Sequence, residues 1–228
     1  MRILAVDTTT PSGSVAVLED DCLLAEIAVE SRSTHSTRLL AAIDLLLSSL
    51  HLDIREMDGY AVAPGPGSFT GIRIGLSTVK SFAFASGKTI APVSSLRALA
   101  WKIREPAGRL VAPMLDAKKG EIYAALVEFR KGRAFENIRQ GAYAPDQFLA
   151  RVPAGRDVVF IGNGIDLCRA KIADRFKAKA FFSDRSPFIA CEVGRLGRDL
   201  LKKGKGVSSV ELEPLYFRKS QAEDRHKR

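Results

Sequence analysis

The order of elements in the first half of this 228-residue chain recurs in the second half. That repeat limits the fold more than any single motif does. "RILAV" is an apolar strand ending at Asp7, and the bend-forming "TTTPSG" follows it. Two more strand patterns come next, "SVAVL" and "LLAEIAV", separated by the acidic turn "EDD". Leu39, Leu40, Ile43, Leu46, Leu47 and Leu50 keep the 3.6-residue period and predict a helix over Thr34–Leu50. "GYAVA" is a short buried strand, followed by a glycine-rich loop and a helix over Gly71–Ser86. Strand "TIAPV" and helix "SSLRALAWKI", opened by serine, complete the half.

The second half starts with "RLVAPML", ending at Asp116, and the turn "AKKG". "EIYAALVEF" and "AFENIRQGAY" extend, and a short helix opens at Pro145. "DVVFI", helix "NGIDLCRAKIADRF" and strand "AKAFF" follow. A last helix starts at Ser186-Pro187, with Ile189, Val193, Leu196 and Leu200 on one stripe. Each half therefore reads βββαβαβα. The predicted class is α/β, a duplication in two lobes, residues 1–105 and 106–228. Each lobe would hold a mixed sheet, and loops after the first strands would line a cleft.

Hydrophobic residues make up 46% and charged residues 27%, ordinary for a globular chain. No apolar run approaches the roughly 20 residues of a membrane span. "MRILAVDTTT" meets an acid at once and reads as a strand rather than a signal peptide. Cys22, Cys168 and Cys191 form no CxxC and fit a reducing cytoplasm as ordinary thiols. The net charge of +9 is unevenly placed: residues 1–105 hold 10 Lys and Arg against 11 Asp and Glu, and the remainder 25 against 15. The basic half would suit nucleic acid, or it is a solvated surface with the basic tail "RKSQAEDRHKR". Basic residues do not interleave with aromatics along the chain as a single-strand platform requires, which favours the second reading.

Nucleotide chemistry has three footholds, all incomplete. "GKT" at Gly87–Thr89 lacks the first glycine of a phosphate loop and precedes a strand, not a helix. "GPGSFTG" at Gly65–Gly71 is one residue longer than GxGxxG. Its glycines serve a sharp turn and close helix packing, although a helix start can attract anions. Asp7 and Asp116 end the first strands of the two lobes, where such folds organise a metal and phosphates. "DTTTPSGS", with Thr8 and Ser14, partly suits a phosphate cradle, whereas "DAKKGE" is short and carries two lysines. The site is therefore read as a vestigial cleft, or as aspartates that merely cap turns. His35, His51 and His226 have no metal-binding spacing, and no GxSxG elbow occurs.

The two helices carry an excess of apolar residues. Ala41, Ala42 and Leu45 lie off the stripe of the first, and Ile74, Phe82 and Phe84 off the stripe of the second, with small Gly71, Gly75 and Ser77 among them. Two apolar faces on one helix imply burial on both sides, by the lobe's own core or by a partner.

"ILAVDTTTPSGSVAV", "HSTRLL", "APGPGSFTGIRIGLSTVKSFAFA", "PVSSLRALA", "MLDAKKGEIYAAL" and "EPLYFRK" together resemble the TsaB (YeaZ) family. The likeness covers nearly the whole chain. It implies the duplicated actin/hexokinase/Hsp70-like fold and a role in making threonylcarbamoyladenosine in tRNAs that read ANN codons. It further implies a non-catalytic subunit, paired with the metal-holding transferase TsaD and helping to recruit the ATPase TsaE. Cofactors would then be none in this subunit, with ATP and a metal ion in its partners, and tRNA reached only through the complex. The family's TsaD contact uses the first two helices. Carried over, this gives His35, Arg38, Ala42, Leu45, Gly71, Arg73, Ile74, Gly75, Thr78 and Phe82 as candidate interface residues, a face that also serves self-association. An ATP-dependent small-molecule kinase of the same fold, using Asp7 and Asp116, is the alternative.

Overall fold

Apolar residues on both faces of one strand require cover on both sides, and Arg2–Asp7 (β1) meets that requirement at the centre of a sheet. The computed structural model describes residues 1–30, 35–104 and 108–218. β1 pairs antiparallel with β2 (Ser12–Glu19) and parallel with β4 (Gly59–Val62). With β3 (Cys22–Glu30) and β5 (Ile90–Pro92) the order is β3-β2-β1-β4-β5. Helix α1 (His35–Ser49) joins β3 to β4, and α2 (Phe69–Ser86) joins β4 to β5. The start predicted for α1, Thr34, lies outside the described residues. α2 begins before Gly71 because the Ser68 hydroxyl caps it, accepting from the Gly71 N–H at 3.3 Å. Helix α3 (Ser95–Trp101) closes the repeat.

The same order recurs. Strands β6 (Leu110–Lys118), β7 (Glu121–Arg130) and β8 (Arg133–Tyr143) precede α4 (Pro145–Arg151). β9 (Val158–Ile161), α5 (Arg169–Phe176) and β10 (Ala180–Phe182) follow. The second sheet runs β10-β9-β6-β7-β8. The segment predicted as one helix from Asn163 is split: Asn163–Leu167 is a 3₁₀ turn, and α5 starts after Cys168, whose φ of −146° breaks the path.

Two compact units result, and the last helix departs from the simple repeat. Phe188–Tyr216 joins Met1–Ala98, while Leu99–Pro187 forms the other unit with the chain end. The lobe boundary read between residues 105 and 106 thus places α6 (Ala190–Lys202) in the wrong unit. The reason lies in the pleat. Leu4, Val6, Val15, Val17, Tyr60 and Val62 face the cluster that α1 and α2 fill. Alternate positions are small, and the opposite face is where α6 settles. A Cβ on Gly197 would collide with Ala61, and one on Gly194 with Leu18. Only a glycine-bearing helix fits that close.

Candidate functional site

The β1–β2 hairpin and the α1–α2 pair hold most of the residues singled out above, and both belong to the first unit. Asp7 ends β1 fully buried. Its Oδ1 accepts from the Thr9 N–H at 3.0 Å and the Thr9 hydroxyl at 2.7 Å, while its Oδ2 has no partner within the chain. Burial pushes this carboxyl up to about 6; the Thr9 bonds pull the other way, and Glu26 adds a lesser upward push. Against an ordinary value of 3.8, the raised folded value means that ionisation favours the unfolded chain. The stability Asp7 leaves in place in acid is lost as pH climbs from about 4 through about 6. Asp7→Asn should therefore gain on the wild type by about 3 kcal/mol between pH 4 and pH 7. Urea denaturation at both pH values measures this; parallel pH curves for the two proteins would contradict it.

The other hydroxyls of the hairpin are engaged too. Thr8 donates to the Gly71 carbonyl at 2.7 Å, and the Ser14 hydroxyl accepts from the Ala190 N–H at 3.0 Å, at the start of α6. The Ser68 N–H donates to the Thr9 carbonyl at 2.7 Å. The glycine-rich loop thus seals itself onto the hairpin, and Cβ atoms on Gly67 and Gly71 would strike the Thr9 and Thr8 backbone. The chain's later segment pins the loop from outside: Tyr216 stacks on Phe69 at 4.5 Å, and Arg73 lies 4.0 Å from that ring.

In the second unit, Asp116 is spent on its own turn. Its Oδ1 accepts from the Lys118 N–H and its Oδ2 from the Lys118 ammonium, each at 2.7 Å. Burial would raise this carboxyl, but the Lys118 bonds outweigh it and the net direction is down. Lys118, Lys119 and Gly120 all take positive φ, 63°, 55° and 78°, so the hairpin is pinched shut in two residues. No group of three His, Cys, Asp or Glu among the described residues is placed to hold a metal ion.

The helix pair presents an apolar surface. Leu40 is 52% exposed, Leu45 61% and Phe84 80%. Ala41 and Ala85 are also exposed, with Ile74, Thr78 and Phe82 half-buried beside them. Leu40 is assigned to the core stripe by the 3.6-residue period, yet it faces outward; Leu39 and Ile43 fill that register instead. Arg38 and Arg73 are exposed, and the His35 side chain lies outside the described residues. Three candidates are not on this surface. Ala42 belongs to the core cluster, and Gly71 and Gly75 face Thr8 of the same chain. Those glycines permit α2 to close on the β1–β2 hairpin rather than admit a foreign helix. The small residues that do point outward are Ser77 and Ser81, whose hydroxyls donate to the Ile74 and Ser77 carbonyls at 3.1 and 2.9 Å. That satisfies them within the helix and leaves a low, weakly polar stripe.

The repeated units define the class: a duplicated α/β protein of the actin/hexokinase/Hsp70-like fold. Fold-level likeness extends to an activator of 2-hydroxyisocaproyl-CoA dehydratase from Clostridium difficile, solved with bound ADPNP (TM-score 0.52, 10% identity, 95% of this chain and all of that one). YeaZ from Pseudomonas aeruginosa is nearer, with a TM-score of 0.78 and 26% identity over 94% of this chain and 99% of that one. The family model of TsaD, tRNA N6-adenosine threonylcarbamoyltransferase, matches residues 24–187. The tRNA threonylcarbamoyladenosine biosynthesis protein TsaB of Bacillus subtilis is 30% identical over 98% of this chain and 96% of its own length. That of Haemophilus influenzae is 35% identical over 96% and 94%. The chain belongs to the TsaB family.

Proposed function

We propose that this protein acts in tRNA threonylcarbamoyladenosine biosynthesis as a non-catalytic scaffold, docking TsaD on the α1–α2 face and helping to recruit TsaE. The observation that carries the reading is the apolar surface of Leu40, Leu45 and Phe84 on adjoining helices, too oily for a face meant for water alone. The engaged hairpins support the scaffold role: the groups that would meet phosphates already bond within the chain. ATP and a metal ion then belong to the partner subunits, and the α1–α2 face pairs two copies when TsaD is absent.

Gel filtration of the protein with TsaD of the same organism tests the reading, together with calorimetry of the isolated chain against Mg-ATP. Co-elution as a stoichiometric complex, with no heat from ATP at micromolar protein, is the expected result. Separate elution, or micromolar ATP binding with turnover, would transfer the assignment to a phosphotransferase built on Asp7 and Asp116.

A further inference from the structure

We propose that the end of the second sheet remote from Asp116 is an RNA-contact surface, which takes an unpaired segment of tRNA. Strand register assembles it. Leu110 pairs with Val158, which pairs with Ala180, and on the other side Leu110 pairs with Glu128, which pairs with Phe135. All five strands therefore reach one level at this end, and each brings cations. Arg109 precedes β6 and Arg156 precedes β9. Lys177 and Lys179 precede β10. Arg130 ends β7, Lys131 sits in the turn and Arg133 opens β8.

Two carboxylates share this level, and both are already engaged. Glu128 is buried between Arg130 at 2.6 Å and Arg156 at 2.7 Å, which hold its carboxyl down at about 2. Asp157 pairs with Lys179 at 2.8 Å. Arg109, Lys131, Arg133 and Lys177 remain in excess, a field that draws polyanions.

Aromatic rings complete the surface. The Arg109 guanidinium lies 5.0 Å from the ring of Phe181, which is 37% exposed on edge strand β10. Arg130 lies 5.9 Å from Phe135, 48% exposed on the opposite edge strand, β8. Four strand spacings separate the rings, about 19 Å, a span that a few nucleotides cover. The basic–aromatic interleaving absent from the linear sequence is thus produced by folding. Charges that merely guard edge strands would run along β8 and β10. These run across the sheet and include its interior strands, β6 and β9. An acidic protein would use the cations but not the paired rings; unpaired bases use both.

The choice of tRNA as the RNA rests on the proposed function; the surface itself does not involve α1 or α2. The test is titration of the full chain into a fluorescently labelled tRNA transcript with an ANN anticodon, at several salt concentrations. Wild type should bind with affinity falling linearly in log salt. Lys131→Glu with Arg133→Glu should weaken binding about tenfold or more and flatten the slope by about 1.4, the share of two single-strand phosphate contacts. Phe135→Ala with Phe181→Ala should weaken it about tenfold with the slope unchanged. Lys203→Glu with Lys205→Glu, an equal charge change after α6, should stay within about twofold of wild type. Three results would overturn the proposal: equal losses in both charge pairs, absence of tRNA binding by the wild type, or binding to phosphatidylserine vesicles in place of tRNA. Leu45→Asp should retain RNA binding, so failure of TsaD docking and failure of this surface are read separately.

Discussion

Gly75→Asp should cost the first unit about 3 kcal/mol or more. Gly75 lies buried on α2, and an added Cβ would run into the Thr8 side chain with Val6 Cγ1 at 3.8 Å behind it. The Thr8 hydroxyl there donates to the Gly71 carbonyl at 2.7 Å, so displacing it strands a buried acceptor. The incoming carboxylate has no cation printed against that pocket and must be buried unpaired or force α2 off β1. Gly75→Ala offsets part of the crowding by about 1 kcal/mol of helix propensity, so it should be milder. Gly71→Ala points at Thr8 backbone, which cannot swing aside, and should fall nearer to the Asp variant. Denaturant midpoints followed by circular dichroism measure the series. A Gly75→Asp protein within about 1 kcal/mol of wild type would show that the glycines do not hold the helix against the hairpin.

Leu45→Asp and Phe84→Asp should behave in the opposite way. At 61% and 80% exposure, neither side chain holds the core together, and each change should stay within about 0.5 kcal/mol in stability. Placed at the middle of a docked helix pair, each should cost about 2–4 kcal/mol of TsaD binding, or about 30-fold to 1,000-fold in Kd. The contrast with Gly75→Asp separates surface loss from unfolding: that variant would lose partner binding through structure, these two through contact.

Much of this architecture is legible in the chain. The repeat of eight elements, the alternation of Val15 and Val17 with small residues, and the buried face of Ile72, Leu76, Val79 and Ala83 are read from periodicity and hold in three dimensions. What periodicity cannot tell is which wall a glycine faces. Gly71 and Gly75 read equally well as admitting a neighbouring helix or a neighbouring strand, and only the path of Thr8 decides it. Leu39 and Leu40 are likewise both compatible with one stripe, because a helix turns 100° between them and the stripe is wider than that. The return of α6 to the first unit depends on a match between Gly194, Gly197 and the small face of a distant sheet, for which no local signal exists. The cationic end of the second sheet was hidden for the same reason: Arg109 and Phe181 meet only through the pairing of β6, β9 and β10.

The central claim is that the outward faces of α1 and α2 seat TsaD, and calorimetric titration of TsaD into folded wild-type, Leu45→Asp and Phe84→Asp proteins tests it most directly. The account predicts a saturable heat for wild type and Kd weakened at least about 30-fold in each variant, with unchanged melting curves. Wild-type affinity in both folded variants would contradict it.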